Sequence, residues 1–243
     1  MSASTAAVPR YLQLLWGVEP TTRRGPKPAL TIWDIGSAGV AIADGQGWDA
    51  VSMKSVAGAL GVTTMSLYRY VDSREELQHV MLDIAYGEAD PAWTSTGPWR
   101  TRLDRWAREV AAALVRRPWV VMVPMNDAPV TPNVLTWTES GLRAFEDVEL
   151  RAQDKLSALL LVDGFIRNHV RQSVQLGAVD TRGTVTEDDG TYEATIARLA
   201  DPKRYPLLLD TVTAQPATGG SYYADELDFG LGVLFDGLEK RFN

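Results

Sequence analysis

Between Leu30 and Tyr86 the apolar positions fall at helical intervals. Ile32, Ile35, Gly39 and Ile42 mark one face of a first helix, which Asp44-Gly45 and Gly47 end. Ser52 is a favourable N-cap for a second, in which Met53, Val56, Ala57 and Leu60 share a face. Gly61-Val62 makes a tight turn, and Thr63 or Thr64 caps a short third helix running to about Tyr70. Ser73-Arg74-Glu75-Glu76 has the spacing of a capping box. It opens a fourth helix striped by Leu77, Val80, Met81 and Ile84, and Gly87 and Pro91 close the segment.

The second half also reads as helix, without strand alternation. Leu103, Trp106, Val110 and Leu114 line one face of a helix that Pro118 stops, and Thr131-Pro132 starts another through Phe145. The stretch Asp154 to Leu176 is apolar on two faces. Leu156, Leu160, Ile166, Val170 and Val174 form one stripe, and Leu161, Phe165, His169 and Leu176 the other. At about 1.5 Å per residue this helix is about 35 Å long. A last helix, about Ala224 to Phe242, carries Leu227, Leu231, Leu234 and Leu238. Its Gly230, Gly232 and Gly237 each cost roughly 1 kcal/mol of helix propensity, which a close approach of another backbone can offset. These two helices are expected to form a subunit interface through Leu156, Leu160, Ile166, Val170, Leu227, Leu231, Leu234 and Leu238. Ala178–Gly190 and Thr211–Ser221 read as mobile polar loops.

The expectation is therefore an all-α protein. A flexible arm over residues 1–28 precedes a three-helix helix-turn-helix domain over 29–90, followed by a helical effector-binding and dimerisation domain over 91–243. Within the arm an apolar island, Tyr11, Leu12, Leu14, Leu15 and Trp16, is either a docked helical turn or an exposed sticky stretch. The absence of cysteine removes disulfides and thiolate metal sites and is compatible with a cytoplasmic location. No signal peptide and no membrane-spanning run is expected.

The chemistry concentrates between Met53 and Val71. A helix-turn-helix needs a small residue at the helix crossing, glycine in the turn and apolar inner faces. Ala57, Gly61, and Val56, Leu60, Val62 and Leu67 meet these needs. Thr63, Thr64, Met65, Ser66, Tyr68 and Arg69 are left outward, a set of hydroxyls, a guanidinium and one apolar group suited to a thymine methyl. The alternative is a helical ligand-binding or scaffold protein whose helix-turn-helix serves packing alone. The net charge of -7 argues against indiscriminate coating of nucleic acid. Residues 22–74 nonetheless hold six bases (Arg23, Arg24, Lys27, Lys54, Arg69, Arg74) against four acids.

Ala57-Gly58-Ala59-Leu60-Gly61-Val62, Ser66-Leu67-Tyr68-Arg69-Tyr70-Val71 and Ser73-Arg74-Glu75-Glu76-Leu77 together resemble the TetR family of bacterial transcription regulators. Trp99-Arg100 with Leu103, Arg117-Pro118-Trp119, Leu160 to Phe165 and Phe229-Gly230-Leu231-Gly232 resemble the tetracycline-repressor-like C-terminal domain. The resemblance spans about Arg24 to Phe242 and leaves the Tyr11–Trp16 island outside. It implies a homodimer on a double-stranded DNA operator, with a small-molecule effector in the C-terminal domain. It implies base contacts from Lys54, Thr63, Thr64, Met65 and Tyr70, and phosphate contacts from Ser66, Tyr68 and Arg74. Tyr70 also falls where an inner packing residue is needed. Arg23 and Arg24 are a minor-groove arm or a solvated basic tail.

For an apolar or aromatic effector the candidates are Trp106, Met122, Met125, Trp137, Phe165 and His169, each of which could equally be core. Asp163 needs a partner if buried, expected inside the dimer. Glu187-Asp188-Asp189 lacks the spacing of a cation site. No cofactor, metal or catalytic residue is expected. There is no GxGxxG, P-loop or GxSxG motif, and His79 and His169 lie ninety positions apart.

Overall fold

In a computed structural model, residues 8–18, 30–125, 128–186, 191–214 and 221–242 are described, and among them every regular element is helical. Helix α1 (Arg10–Leu15) is followed by α2 (Ile32–Gln46), α3 (Met53–Ala59), α4 (Thr64–Leu67) and α5 (Arg74–Tyr86). Then come α6 (Trp99–Arg116), α7 (Pro132–Arg143), α8 (Ala152–Gln175), α9 (Thr191–Leu199), α10 (Pro206–Thr213) and α11 (Tyr222–Phe242). A 3-10 turn, Pro118–Met122, links α6 to the approach of α7.

Local chemistry sets the N-terminal boundaries. Thr31 and Asp34 form a reciprocal capping box at the start of α2, and Gly47, at φ +82°, ends it. Ser52 and Ser55 do the same for α3. Gly61 takes φ +67° in the turn, a backbone conformation that costs glycine little. Glycines of α2 let α5 lie unusually close, since a Cβ on Gly39 would stand 2.6 Å from Met81 Sδ. Ile35, Val56, Leu67, Val71, Leu77 and Val80 fill the space between these helices.

The apolar island is helix α1, with Tyr11, Leu12 and Leu15 buried against α2 and α5. Over these residues the expected flexible arm is instead a docked helix, because three apolar side chains at helical spacing find an apolar groove. Trp16 Nε1 donates to the Val130 carbonyl at 3.0 Å, so the same short segment also touches the approach to α7.

The larger domain is built around α6, whose Leu103, Trp106, Ala107, Val110 and Leu114 are buried among α7, α8 and α11. Ile166, Val170, Leu227, Leu231 and Leu238, expected at a subunit interface, are buried within this core, and Leu234 is half-buried. Because α8 is apolar on two faces, periodicity alone does not say which of them meets its own chain. Asp163 pairs with Arg167 one turn along α8 at 2.6 Å, which gives its carboxylate a partner within the chain. Gly230 accommodates the Phe165 ring rather than another backbone.

Residues 178–186 form a hydrogen-bonded turn rather than an open loop. The Asp180 carboxylate accepts from the amides of Arg182 and Thr184, and Val179 bridges Val185. Helices α9 and α10 pair with each other. The acidic run Glu187-Asp188-Asp189 and the arginines Arg23 and Arg24 lie outside the described residues.

Candidate nucleic-acid interface and effector domain

Helix α4 buries Leu67 completely, and that contact orients everything else on the helix. Met65, 73% exposed, and Tyr68 are among the most exposed large apolar side chains of the N-terminal domain. Thr63 and Arg69 are also exposed, while Thr64 and Ser66 are half-buried. Thr63 Oγ1 lies 3.0 Å from Ser66 Oγ, so each hydroxyl steadies the other at the helix start. Regular helix ends at Leu67, and hydrogen-bonded turns carry the chain on to Val71. Lys54 at the start of α3 and Arg74 at the start of α5 are exposed. Tyr70 differs from this outward set: its hydroxyl donates to the Leu30 carbonyl at 2.6 Å and its ring is half-buried. The packing alternative therefore accounts for Tyr70, which pins the segment before α2 to the helix-turn-helix.

The face has one built-in support that sequence reading missed. The Arg74 guanidinium lies 4.8 Å from the centroid of Trp48, a residue in the short turn after Gly47. A large aromatic in a glycine-flanked turn was the available signal.

The junction between domains is rich in polar contacts from α5. The Asp83 carboxylate accepts from the amides of Asn133 and Val134 at 2.8 and 3.3 Å, capping α7 from another helix. Burial pushes the Asp83 carboxyl above its usual range, against the pull of Thr131 and the two amides. Gln78 Nε2 donates to the Pro124 carbonyl, Arg117 Nη1 to that of Ala85, and Trp137 Nε1 to that of Gly87. His79 faces α1, its ring 5.8 Å from that of Tyr11.

The six effector candidates do not converge. Trp106 and Trp137 are core: the Trp106 Nε1–H donates to the Trp137 carbonyl at 2.8 Å, and Tyr86 and Trp93 pack on the Trp137 ring. The His169 ring stacks on Phe165 and on Tyr223 of α11. His169 Nε2 lies 2.9 Å from the Tyr223 carbonyl, which fixes the proton on Nε2. Burial holds the His169 imidazole below its ordinary pKa, against that hydrogen bond. Met122 and Met125 are half-exposed near the domain junction. Of the six, Met122 alone lines any of three clefts. One cleft of about 580 Å³ lies between the end of α2 and the 3-10 turn, lined by Trp48, Trp119 and Met122. Two others, about 840 and 480 Å³, share Pro91, Glu139 and Arg143 on the outer side of α7. Deeper in, the Ser173 hydroxyl has no hydrogen-bond partner among the described residues, and the Arg167 guanidinium lies 5.7 Å from the centroid of the Tyr86 ring. Burial pushes the Tyr86 phenol up to about 12.

Among the described residues no helix is long and apolar enough to cross a membrane, and no group of three potential metal ligands occurs.

Residues 91–242 match the family described as tetracyclin repressor-like, C-terminal domain. The HTH-type transcriptional repressor DrrR1 of Streptomyces coeruleorubidus is 31% identical over 241 residues, covering 98% of this chain and 88% of the relative. The chain belongs to the TetR family of transcriptional regulators. An HTH-type transcriptional regulator of Saccharopolyspora erythraea is 27% identical, over 90% of this chain and 89% of that one. In fold, this TetR-family chain resembles ActR of Streptomyces coelicolor, solved in complex with actinorhodin. The TM-score is 0.71 at 20% identity, over 88% of this chain and 99% of that one. As a TetR-family protein the chain is a DNA-binding transcriptional regulator.

Proposed function

We propose that this regulator is a repressor that binds a palindromic operator as a homodimer and is released by a small molecule. The observation that carries the reading is the outward set on α4, with Met65 and Tyr68 exposed over a fully buried Leu67. Lys54, Thr63, Thr64 and Met65 are offered to base edges, and Ser66, Tyr68, Arg69 and Arg74 to the backbone.

The dimer face is the other apolar side of α8 and α11. Leu156, Leu160 and Leu161 on α8, and Phe229 and Val233 on α11, are all exposed in the single chain. Leu160 and Phe229, 73% and 71% exposed, are poorly compatible with a solvated monomer. Two such faces packed together give a bundle that sets the two α4 helices about 34–36 Å apart, one turn of duplex. The effector is an apolar or aromatic molecule carrying hydrogen-bonding groups. Aromatic packing around Trp137 and the buried Ser173 hydroxyl, which has no hydrogen-bond partner among the described residues, support that chemistry. Its leverage is the Asp83 contact, through which a displaced α7 would move α5 and with it α4. The relative's name, repressor, and ActR's complex with actinorhodin support the same reading. The work of such a protein is in the cytoplasm.

The test is retardation of a labelled duplex from upstream of its own gene. Binding should weaken as salt rises and persist against random competitor. Actinorhodin and simple hydroxyquinones serve as first effector probes. Failure to retard any upstream fragment at low salt would favour the scaffold alternative.

A further inference from the structure

Resting on the reading of Arg74 as a backbone contact, we infer that Trp48 and Trp119 are positioning residues for DNA binding. They form a stacked relay that holds Arg74 only while the effector domain is seated on α2. The rings of Trp48 and Trp119 lie 6.4 Å apart at 11° between planes, so the N-terminal domain's turn stacks on the effector domain's 3-10 turn. The Arg74 guanidinium lies 4.8 Å from the Trp48 centroid and remains exposed. Three groups from three segments thus make one column of successive contacts from Arg74 to the effector domain's turn.

The far end of the column is fixed, which is what makes it a relay rather than a surface contact. Trp119 is buried, and its Nε1–H donates to Asp44 Oδ1 at 2.6 Å. Asp44 Oδ2 accepts from Arg117 Nε at 3.2 Å, so one carboxylate of α2 anchors both ends of the Arg117-Pro118-Trp119 bend. The turn is tied on its other side to α8, because Arg171 Nε donates to the Val121 carbonyl at 3.1 Å. A shift of α8 or of the turn by a fraction of a ring width would unstack Trp119. Trp48, half-buried at the edge of the core between Arg74 and Trp119, would then lose the ring that fixes its orientation. Arg74 would keep its charge but not its direction, and a guanidinium that must be ordered on binding contributes less.

The experiment measures binding of the full-length protein to the upstream duplex and to a random duplex. The variants are R74A, W48L, W48F, W119L and the double variant R74A/W48L. R74A should weaken both duplexes by about tenfold, the scale of a charge-assisted bond to phosphate. W48L should weaken binding by about threefold, the scale of an exposed cation–π contact, and W119L should do likewise. W48F keeps a ring under Arg74 and should restore binding. In the R74A background W48L should cost nothing further, because its effect passes through Arg74. Thermal unfolding of each variant separates lost seating from lost fold, and the W48F and W48L comparison is read only between equally folded proteins. The inference is overturned by wild-type affinity in a folded W48L, or by an equal loss from W48L with and without Arg74. It is also overturned by an R74A protein that binds normally, a result that leaves the repressor reading intact. Loss of all upstream binding by the wild-type protein would instead remove that reading itself.

Discussion

At the scale of the residue, DNA reading and stability are separable in this protein. Met65 is exposed, so Met65→Ala should leave the melting temperature unchanged. If Met65 meets a thymine methyl, the loss is confined to operators carrying that base and amounts to about 1 kcal/mol or more. Arg74→Ala should instead weaken operator and random DNA alike, since phosphate contacts carry no sequence. Competition titrations that give both variants the same operator-to-random ratio would refute the division of roles. His169 supports a second residue-scale prediction. Its folded pKa lies below the ordinary value, so the unfolded chain binds more protons as pH falls through about 6.5. Stability should therefore be fully present above that pH and decline below it. Replacing His169 by Gln keeps a donor for the Tyr223 carbonyl and removes the titration. Denaturant midpoints measured between about pH 8 and pH 5 should fall less steeply for the variant. Identical pH profiles would show that His169 does not charge in this window.

At the scale of the element, most of the fold was legible because most of it is local. The N-caps at Ser52 and Ser73, glycine at 47 and 61, and the stripes of α2 and α5 specify where helices begin, end and face. What was not legible depended on which surface another element covers. Helix α8 is apolar on both sides, so its inner Ile166 and Val170 could not be told from its outer Leu160 and Leu161. The island at Tyr11–Trp16 matched no expected partner, because the groove it fills is made by α2 and α5 together. Trp106, Trp137 and His169 have an effector-like composition, but backbone carbonyls satisfy their polar atoms. The glycines of α11 show the same limit and offer a test. A Cβ at Gly230 would meet the Phe165 ring, whereas one at Gly237 meets nothing within 4 Å. Gly230→Ala should destabilise by about 1–3 kcal/mol through overpacking. Gly237→Ala should stabilise by about 0.5–1 kcal/mol through helix propensity. Equal melting shifts of the same sign would show that α11 is not packed on α8 as described.

At the scale of the whole molecule, the two sides of the α8–α11 pair make opposite demands, and mutation distinguishes them. Leu231 is buried in its own chain, so an aspartate there places an unpaired charge in the core. Leu231→Asp should unfold the protein or cost at least about 3 kcal/mol, with any loss of dimer following from the loss of fold. Leu160 is exposed in the single chain, so Leu160→Asp costs the monomer little. Across a twofold interface the same substitution brings each aspartate against the partner's apolar face, twice per dimer. Sedimentation should then show a folded monomer with an unchanged helical spectrum. That monomer should keep weak, salt-sensitive binding to random duplex, because each α4 face is intact. Its operator affinity should fall steeply, since one recognition helix retains neither the second half-site nor the fixed separation that makes two half-sites a single target. A Leu160→Asp protein that remains dimeric would move the interface off α8. A folded monomer that still binds the full operator as tightly as the wild-type protein would show that operator recognition does not need the pair.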